Sequence, residues 1–244
     1  MGIGALVLTY NEEDMIEPCL ESIDWVDEII VVDSYSEDMT VEICRQYTDK
    51  IFKREFDNFS NQRNYGLEKL ESEWVLILDA DERITDKLQK EIIDITSQKK
   101  YNNEVYKIPR KSYFLGKWIK HCGWYPDYTV RLFLNRPDHR YQNLVHEKLN
   151  FSGEAGKVEN PLIHRTYESL GEFAEKMNHY TELAGQEDEG MPIILVFLRP
   201  ILEFIKKFIL QRGFLSGKEG LILSMMLSYY SFLKYAKKWE SQNT

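Results

Sequence analysis

Four short apolar runs within residues 1–100, each released into polar residues and then into an amphipathic stretch, constrain this chain more than any other feature. The runs are Ile3–Leu8, Glu28–Val32, Ile51–Phe52 and Trp74–Leu78. Amphipathic segments fill the gaps at about Glu13–Ile23, Met39–Tyr47 and Asn61–Leu70, with a further one from Asp86 to about Ser97. A strand buried on both faces reads as a continuous apolar run, and parallel neighbours need a crossover long enough for a helix, so the pattern predicts an α/β fold. Thr85 is the expected N-cap for the helix starting at Asp86, and Ser60 the expected cap for the helix holding Gln62 and Arg63. Ligands of such open sheets bind beyond the carboxyl ends of the strands, where Thr9–Glu13, Asp33–Asp38 and Asp79–Asp81 converge.

From Tyr101 to His164 the chain turns aromatic, with Gly116, Gly123 and Pro126 marking turns and β-rich pieces such as Val130–Leu134. The expected organisation is one domain over residues 1–168, in halves 1–100 and 101–168, followed by an amphipathic helical region over 169–244. Ser169 with Glu172 is a capping-box pattern opening a helix to about Gly190. Further on, Ile201, Phe204, Ile205, Phe208 and Ile209 recur at helical spacing opposite Glu203, Lys206 and Lys207, and a second helix is expected over Leu221–Trp239, ending in Lys-rich sequence.

The net charge of −9 argues against nucleic acid as a partner, but the charge is uneven. From Met191 onward eight basic residues face three acidic ones, a net of +5, so the rest of the chain carries −14. Cys19, Cys44 and Cys122 are odd in number and lack C-x-x-C spacing, which argues against a disulfide framework or a thiolate zinc site and for a reduced cytoplasm. The N-terminus has no basic segment followed by an apolar stretch and cleavage site, so export is not expected.

The sharpest local signal is Leu76-Ile77-Leu78-Asp79-Ala80-Asp81-Glu82, an apolar strand that delivers two carboxylates into the crevice. Carboxylate oxygens suit a hard cation, Mg²⁺ or Mn²⁺, that also grips a diphosphate. By the pattern alone, a solvated acidic strand end is an equal alternative. Asp33, just after the second strand, can accept from a base N–H or a ribose hydroxyl, with Ser34 and Ser36 offering hydroxyls; Asn11, Ser36 and Asp38 can equally cap helices.

These stretches together resemble family 2 glycosyltransferases, specifically the lipopolysaccharide-core glucosyltransferase-like branch. The resemblance rests on T-Y-N-E-E at Thr9–Glu13, V-V-D-S-Y-S-E-D at Val31–Asp38, N-Q-R-N-Y at Asn61–Tyr65, L-D-A-D-E at Leu78–Glu82, R-L-F at Arg131–Phe133 and V-H-E at Val145–Glu147. It implies a GT-A fold, a Rossmann-like mixed sheet flanked by helices with a C-terminal helical appendage. Residues 1–100 then form the nucleotide-sugar half and 101–168 the acceptor half. It further implies that Asp33 binds the nucleoside, with Thr9, Asn11 and Glu13 lining the pocket, and that Arg63 lies near the donor phosphates or sugar. Asp79 and Asp81 address the donor and the metal, Asp81 as the more direct ligand and a catalytic residue. Glu147 is the expected acceptor-activating base, against the alternative that it pairs with Arg131. His164 either completes the metal site or is a packed histidine, and Arg131 and Lys120 are phosphate contacts or surface charges.

The activity so implied is inverting transfer of a single hexose, with UDP-glucose as the leading donor, to a cell-envelope saccharide or lipid-linked glycan. No Q-x-x-R-W motif marks a processive enzyme. Two other classes compete: a membrane-associated scaffold that binds a nucleotide sugar without turning it over, and a sugar-nucleotidyltransferase, which needs a Gly-rich basic loop where Asn-Glu-Glu stands after Tyr10. The basic, apolar tail is too interrupted to span a bilayer and is expected to lie on the inner face of the cell membrane, to pack on the domain or to form a homodimer.

Overall fold

The computed structural model describes residues 2–143, 147–184 and 192–243, which divide into two compact units. One unit holds the chain to Arg110 together with Tyr128–His164; the other holds Lys111–Asp127 and Arg165 onward.

The chain runs through β1 (Ile3–Thr9), α1 (Ile16–Glu21), β2 (Glu28–Asp33), α2 (Thr40–Cys44), β3 (Ile51–Lys53), α3 (Phe59–Leu67), β4 (Trp74–Asp79), a short β5 (Glu82–Arg83) and α4 (Asp86–Thr96). It continues through β6 (Val105–Phe114), β7 (Lys117–Trp118), β8 (Asp127–Leu134), β9 (Tyr141–Gln142), β10 (Lys148–Leu149), β11 (Gly156–Lys157) and β12 (Leu162–Tyr167). Helices α5 (Leu170–Ala184), α6 (Ile193–Ile205) and α7 (Gly217–Asn243) follow, with a π turn at Lys206–Leu210 and a 3-10 turn at Gly213–Ser216 between the last two.

The main sheet is mixed and has the order β3-β2-β1-β4-β8-β6-β12-β5. The four strands expected from the apolar runs pair parallel with one another, and β8 adds antiparallel to β4. Strands β1, β2 and β4 are almost wholly buried because α1, α2 and α4 cover one face, where Leu20, Ile23, Leu76, Leu88 and Ile92 share a core, while Leu67 and Leu70 join Leu6, Ile30 and Ile77 on the other.

Helix boundaries depart from expectation where backbone donors are claimed elsewhere. The first helix starts at Ile16, not Glu13, because the N–H groups of Asn11, Glu12 and Glu13 bond to side chains of the loop after β2 and of Thr40 at the start of α2. Thr85 caps α4 as expected, accepting from the N–H of Leu88. Ser60 does not cap α3: Asn58 does, accepting from Asn61, and the Ser60 hydroxyl instead donates to the carbonyl of Asn143. Tight packing places Gly66 where a Cβ would come within 2.3 Å of Leu6 Cδ1, so α3 lies as close to β1 as only glycine permits.

In the second unit, Phe114, Ile119, Cys122, Phe173, Met177 and Leu223 form the core. Helix α5 opens as the Ser169–Glu172 pattern predicts: Ser169 Oγ accepts from the Glu172 N–H, although the Glu172 carboxylate returns to the N–H of Glu168. The expected end of that helix near Gly190 falls outside the described residues. No helix among the described residues is long and apolar enough to cross a membrane.

Candidate active site

Strand register assembles the site. Thr9 lies opposite Asp33 in the β1–β2 pair and Leu8 opposite Asp79 in the β1–β4 pair, so three parallel strands deliver Thr9, Asp33 and Asp79 to one edge. After Asp79 the chain turns at once into β5, which pairs antiparallel with β12 and sets His164 opposite Glu82. The D-A-D-E turn and His164, 82 residues apart in sequence by their numbers, thereby become neighbours.

Asp79 is gripped by two arginines. Arg63 on α3 donates to its Oδ1 at 3.1 Å, and Arg131 on β8 donates to its Oδ2. Burial by itself would raise the Asp79 carboxyl, but the guanidinium groups of Arg131 and Arg63 outweigh it and hold the group well below the usual carboxylate range. Burial likewise works against charge on Arg131 and Arg63, yet the adjacent acids keep both firmly protonated. Arg131 also reaches Glu82 Oε1 at 2.6 Å, so it pairs with Asp79 and Glu82 and not with Glu147.

Glu147 pairs instead with Nη1 of Arg63, whose guanidinium lies over the rings of Tyr141 at 5.2 Å and Phe59 at 5.7 Å. One arginine therefore joins the end of β4 to the segment that carries Glu147. Val145 and His146 of the V-H-E stretch lie outside the described residues.

Asp81 points the other way. Its Oδ2 lies 3.3 Å from His164 Nε2, and its Oδ1 is buried with no hydrogen-bond partner among the described residues. No group of three or more His, Cys, Asp or Glu side chains among the described residues is arranged to hold a metal ion. Asp81 nevertheless offers the single carboxylate with which a Mg²⁺-type ion can be held, the rest of its shell coming from phosphate oxygens and water. Asp79, with both oxygens held by guanidinium groups, offers less to a cation than Asp81 does.

The residues expected to line the nucleoside pocket form a reciprocal clasp. Asn11, Glu12 and Glu13 donate their N–H groups to Ser36 Oγ, Thr40 Oγ1 and Asp38 Oδ2; in return Asn11 Oδ1 and Glu13 Oε2 accept from the N–H groups of Glu37 and Met39. Asn11 and Glu13 thus spend their side chains on the β2–α2 loop. Asp33 is fully buried and accepts from both the N–H and the hydroxyl of Ser36, while the Thr9 hydroxyl is buried without a partner among the described residues. Ser34 accepts from Gln62, which is itself held by Arg54. Lys120 belongs to the other compact unit, where it is exposed and lies 5.9 Å over Trp118.

Three participants had no assigned role in the sequence: Glu82, Gln62 and Arg54. Glu82 is completely buried, accepts from the Asp79 N–H and from Arg131, and is raised by that burial. Its position directly after D-A-D was visible, but its partner comes from a strand 49 residues away.

The sequence model described as "Glycosyl transferase family 2" matches residues 5–151. Across 98% of this chain and 92% of its own length, a protein of Rhizobium meliloti described as "Lipopolysaccharide core biosynthesis glycosyltransferase LpsC" is 27% identical. An "Uncharacterized glycosyltransferase" of Rickettsia felis is 26% identical over 98% of this chain and 90% of its own. Among solved structures, S. aureus TarS 1-349 in complex with UDP superposes at a TM-score of 0.43 with 17% identity, covering 100% of this chain and 91% of that one.

Proposed function

The chain belongs to glycosyl transferase family 2, with the GT-A fold and a transferase activity, and on that premise we propose that it moves a single hexose from a nucleoside-diphosphate donor, UDP-glucose foremost, to a cell-envelope saccharide or lipid-linked glycan. The envelope acceptor is suggested by the likeness to the Rhizobium core-biosynthesis protein. The observation that carries the mechanism is the Arg63 bridge, which ties Asp79 at the strand edge to Glu147.

In this reading Asp33 and Thr9 receive the nucleoside, and Asn11 and Glu13 shape the pocket by fastening its two loops together. Asp79 fixes Arg63 and Arg131 beside the donor. Asp81, with His164, holds the divalent cation, Mn²⁺ or Mg²⁺; when bound, the ion offsets charge on the departing diphosphate. Glu147, oriented by Arg63, takes the proton of the acceptor hydroxyl as that oxygen bonds to the anomeric carbon and the carbon–oxygen bond to the diphosphate breaks. One such displacement inverts the anomeric centre. The proposed setting is the cytoplasmic face of a membrane.

The test is release of nucleoside diphosphate from a panel of nucleotide sugars in the presence of membrane-extracted acceptor, with and without Mn²⁺. Wild type is expected to release it only with metal. Asp81→Ala is expected to lose the metal response, and Glu147→Gln to bind UDP normally while transfer falls by about 10²-fold or more. Normal transfer by Glu147→Gln removes that residue as the base.

A further inference from the structure

The second unit carries a surface that the transfer reaction does not use. Helix α6, the π turn at Lys206–Leu210 and the start of α7 form an antiparallel hairpin, in which Ser228 Oγ donates to the Pro200 carbonyl and Phe197 meets Phe232 at 6.5 Å between ring centroids. Most of the large apolar side chains of this hairpin are nevertheless exposed. Ile194, Ile201 and Leu202 stand out on α6, and Leu210, Phe214 and Leu215 continue the surface around the turn, with Leu210 73% exposed. Residues of an α-helix follow one another at about 100°, which spreads the exposed apolar side chains of α6 over roughly half its circumference. Val196 and Pro200 are buried on the opposite side, and Arg199 and Lys206 stand at a border of the apolar arc.

We infer that this hairpin end is a monotopic anchor that seats its apolar turn in the headgroup–acyl boundary of an anionic lipid bilayer. The inference rests on the proposed membrane setting and adds the surface responsible. An apolar face bordered by Arg and Lys is the arrangement that lies in such an interface, where Lys and Arg add attraction to anionic lipid. Arg199, Lys206, Arg212 and Lys218 are all exposed around the hairpin, and residues 192–220 carry five basic residues against Glu203 and Glu219, a net of +3, while the rest of the chain is −12. Anionic lipid therefore attracts this end of an otherwise acidic chain.

A second copy is the poorer occupant. A two-fold contact sets each patch against itself, which would bring these four cations together, and side-by-side hairpins would leave the apolar turn uncovered. The Lys-rich end of α7, which the sequence offered as the basic element, is committed within the unit: Lys237 donates to the Asn178 carbonyl and side chain, and Lys238 is buried.

The test is flotation of the full chain with phosphatidylcholine vesicles, with or without phosphatidylglycerol, in the absence of donor and acceptor. Wild type is expected to float only with the anionic vesicles. Leu210→Ser with Phe214→Ser should lower partitioning about tenfold or more, and Lys206→Glu with Lys218→Glu by a similar factor, both with unchanged melting curves because all four side chains are exposed. Wild type that fails to float, or that floats equally with neutral vesicles, overturns the inference. So does a lipid-free dimer in sedimentation that Leu210→Ser with Phe214→Ser dissociates. Because no transfer is measured, a chain that floats but lacks activity refutes the transfer mechanism alone, and an active chain that stays down refutes the anchor alone.

Discussion

Arg63 Nη2 lies 3.1 Å from Asp79 Oδ1, an ion pair whose cation is almost wholly buried while its acid is 33% exposed. The remaining reach of that guanidinium goes to Glu147, so a planar fork serves two acids at once. Lysine, a compact charge on a flexible stem, cannot hold both acids in the fixed geometry of that fork. Arg63→Lys is therefore expected to fold, to bind UDP, and to lose about tenfold or more in kcat through misplacement of Glu147. Steady-state assays beside UDP titration check it, and an unchanged kcat would remove Arg63 from its positioning role.

Arg131 is the counter-charge of Glu82, which has no exposure at all. Arg131→Met leaves that acid buried without its principal partner, and such a loss costs about 3–5 kcal/mol. Urea denaturation should show the midpoint falling accordingly, with much of the loss recovered in Arg131→Met with Glu82→Gln. Equal midpoints for wild type and Arg131→Met would mean that Glu82 does not depend on this partner.

Asp79 makes stability depend on acid. Its folded pKa is depressed below an unfolded value of about 3.9. Its contribution is therefore complete above about pH 4 and is lost as pH falls from there through the folded value. Asp79→Asn should be less stable than wild type at neutral pH and should lose less on acidification. Denaturant midpoints taken across this range decide the matter, since parallel curves would show that Asp79 contributes nothing to the acid transition.

All three cysteines are free and buried. Burial drives the Cys44 thiol up to about 12, with Asp33 adding to the shift, and pushes Cys19 and Cys122 upward as well. The thiolate is the reactive form, so a disulfide reagent is expected to label none of them in the native protein at neutral pH and all three after unfolding. Rapid labelling of one thiol in folded protein would contradict the packing around it.

The parallel half of the sheet was legible because buried strands announce themselves in contiguous sequence: Ile3–Leu8 and Trp74–Leu78 need no partner to be recognised as strands. The carboxylates at their ends were legible for the same reason. What escaped depended on distant segments. Glu82 acquires its meaning from Arg131 and from the pairing of β5 with β12, and Glu147 finds Arg63 rather than Arg131 because α3 turns its arginine inward. Ser60 looked like a cap because serine favours that position, yet Asn58 two residues earlier had the extended backbone a cap needs. The lysines near the C-terminus read as part of a basic tail until α5 supplied Asn178.

The clasp between Asn11–Glu13 and Ser36–Thr40 has a consequence for inheritance. Each loop supplies acceptors for the other's backbone, so neither has a shape of its own to pass on. A change that removes the Ser36 hydroxyl strands the Asn11 amide and releases an Asp33 contact in the same stroke. Descendants of this chain that alter their donor preference are expected to change both loops together, as one heritable cassette split by the length of a helix and a strand.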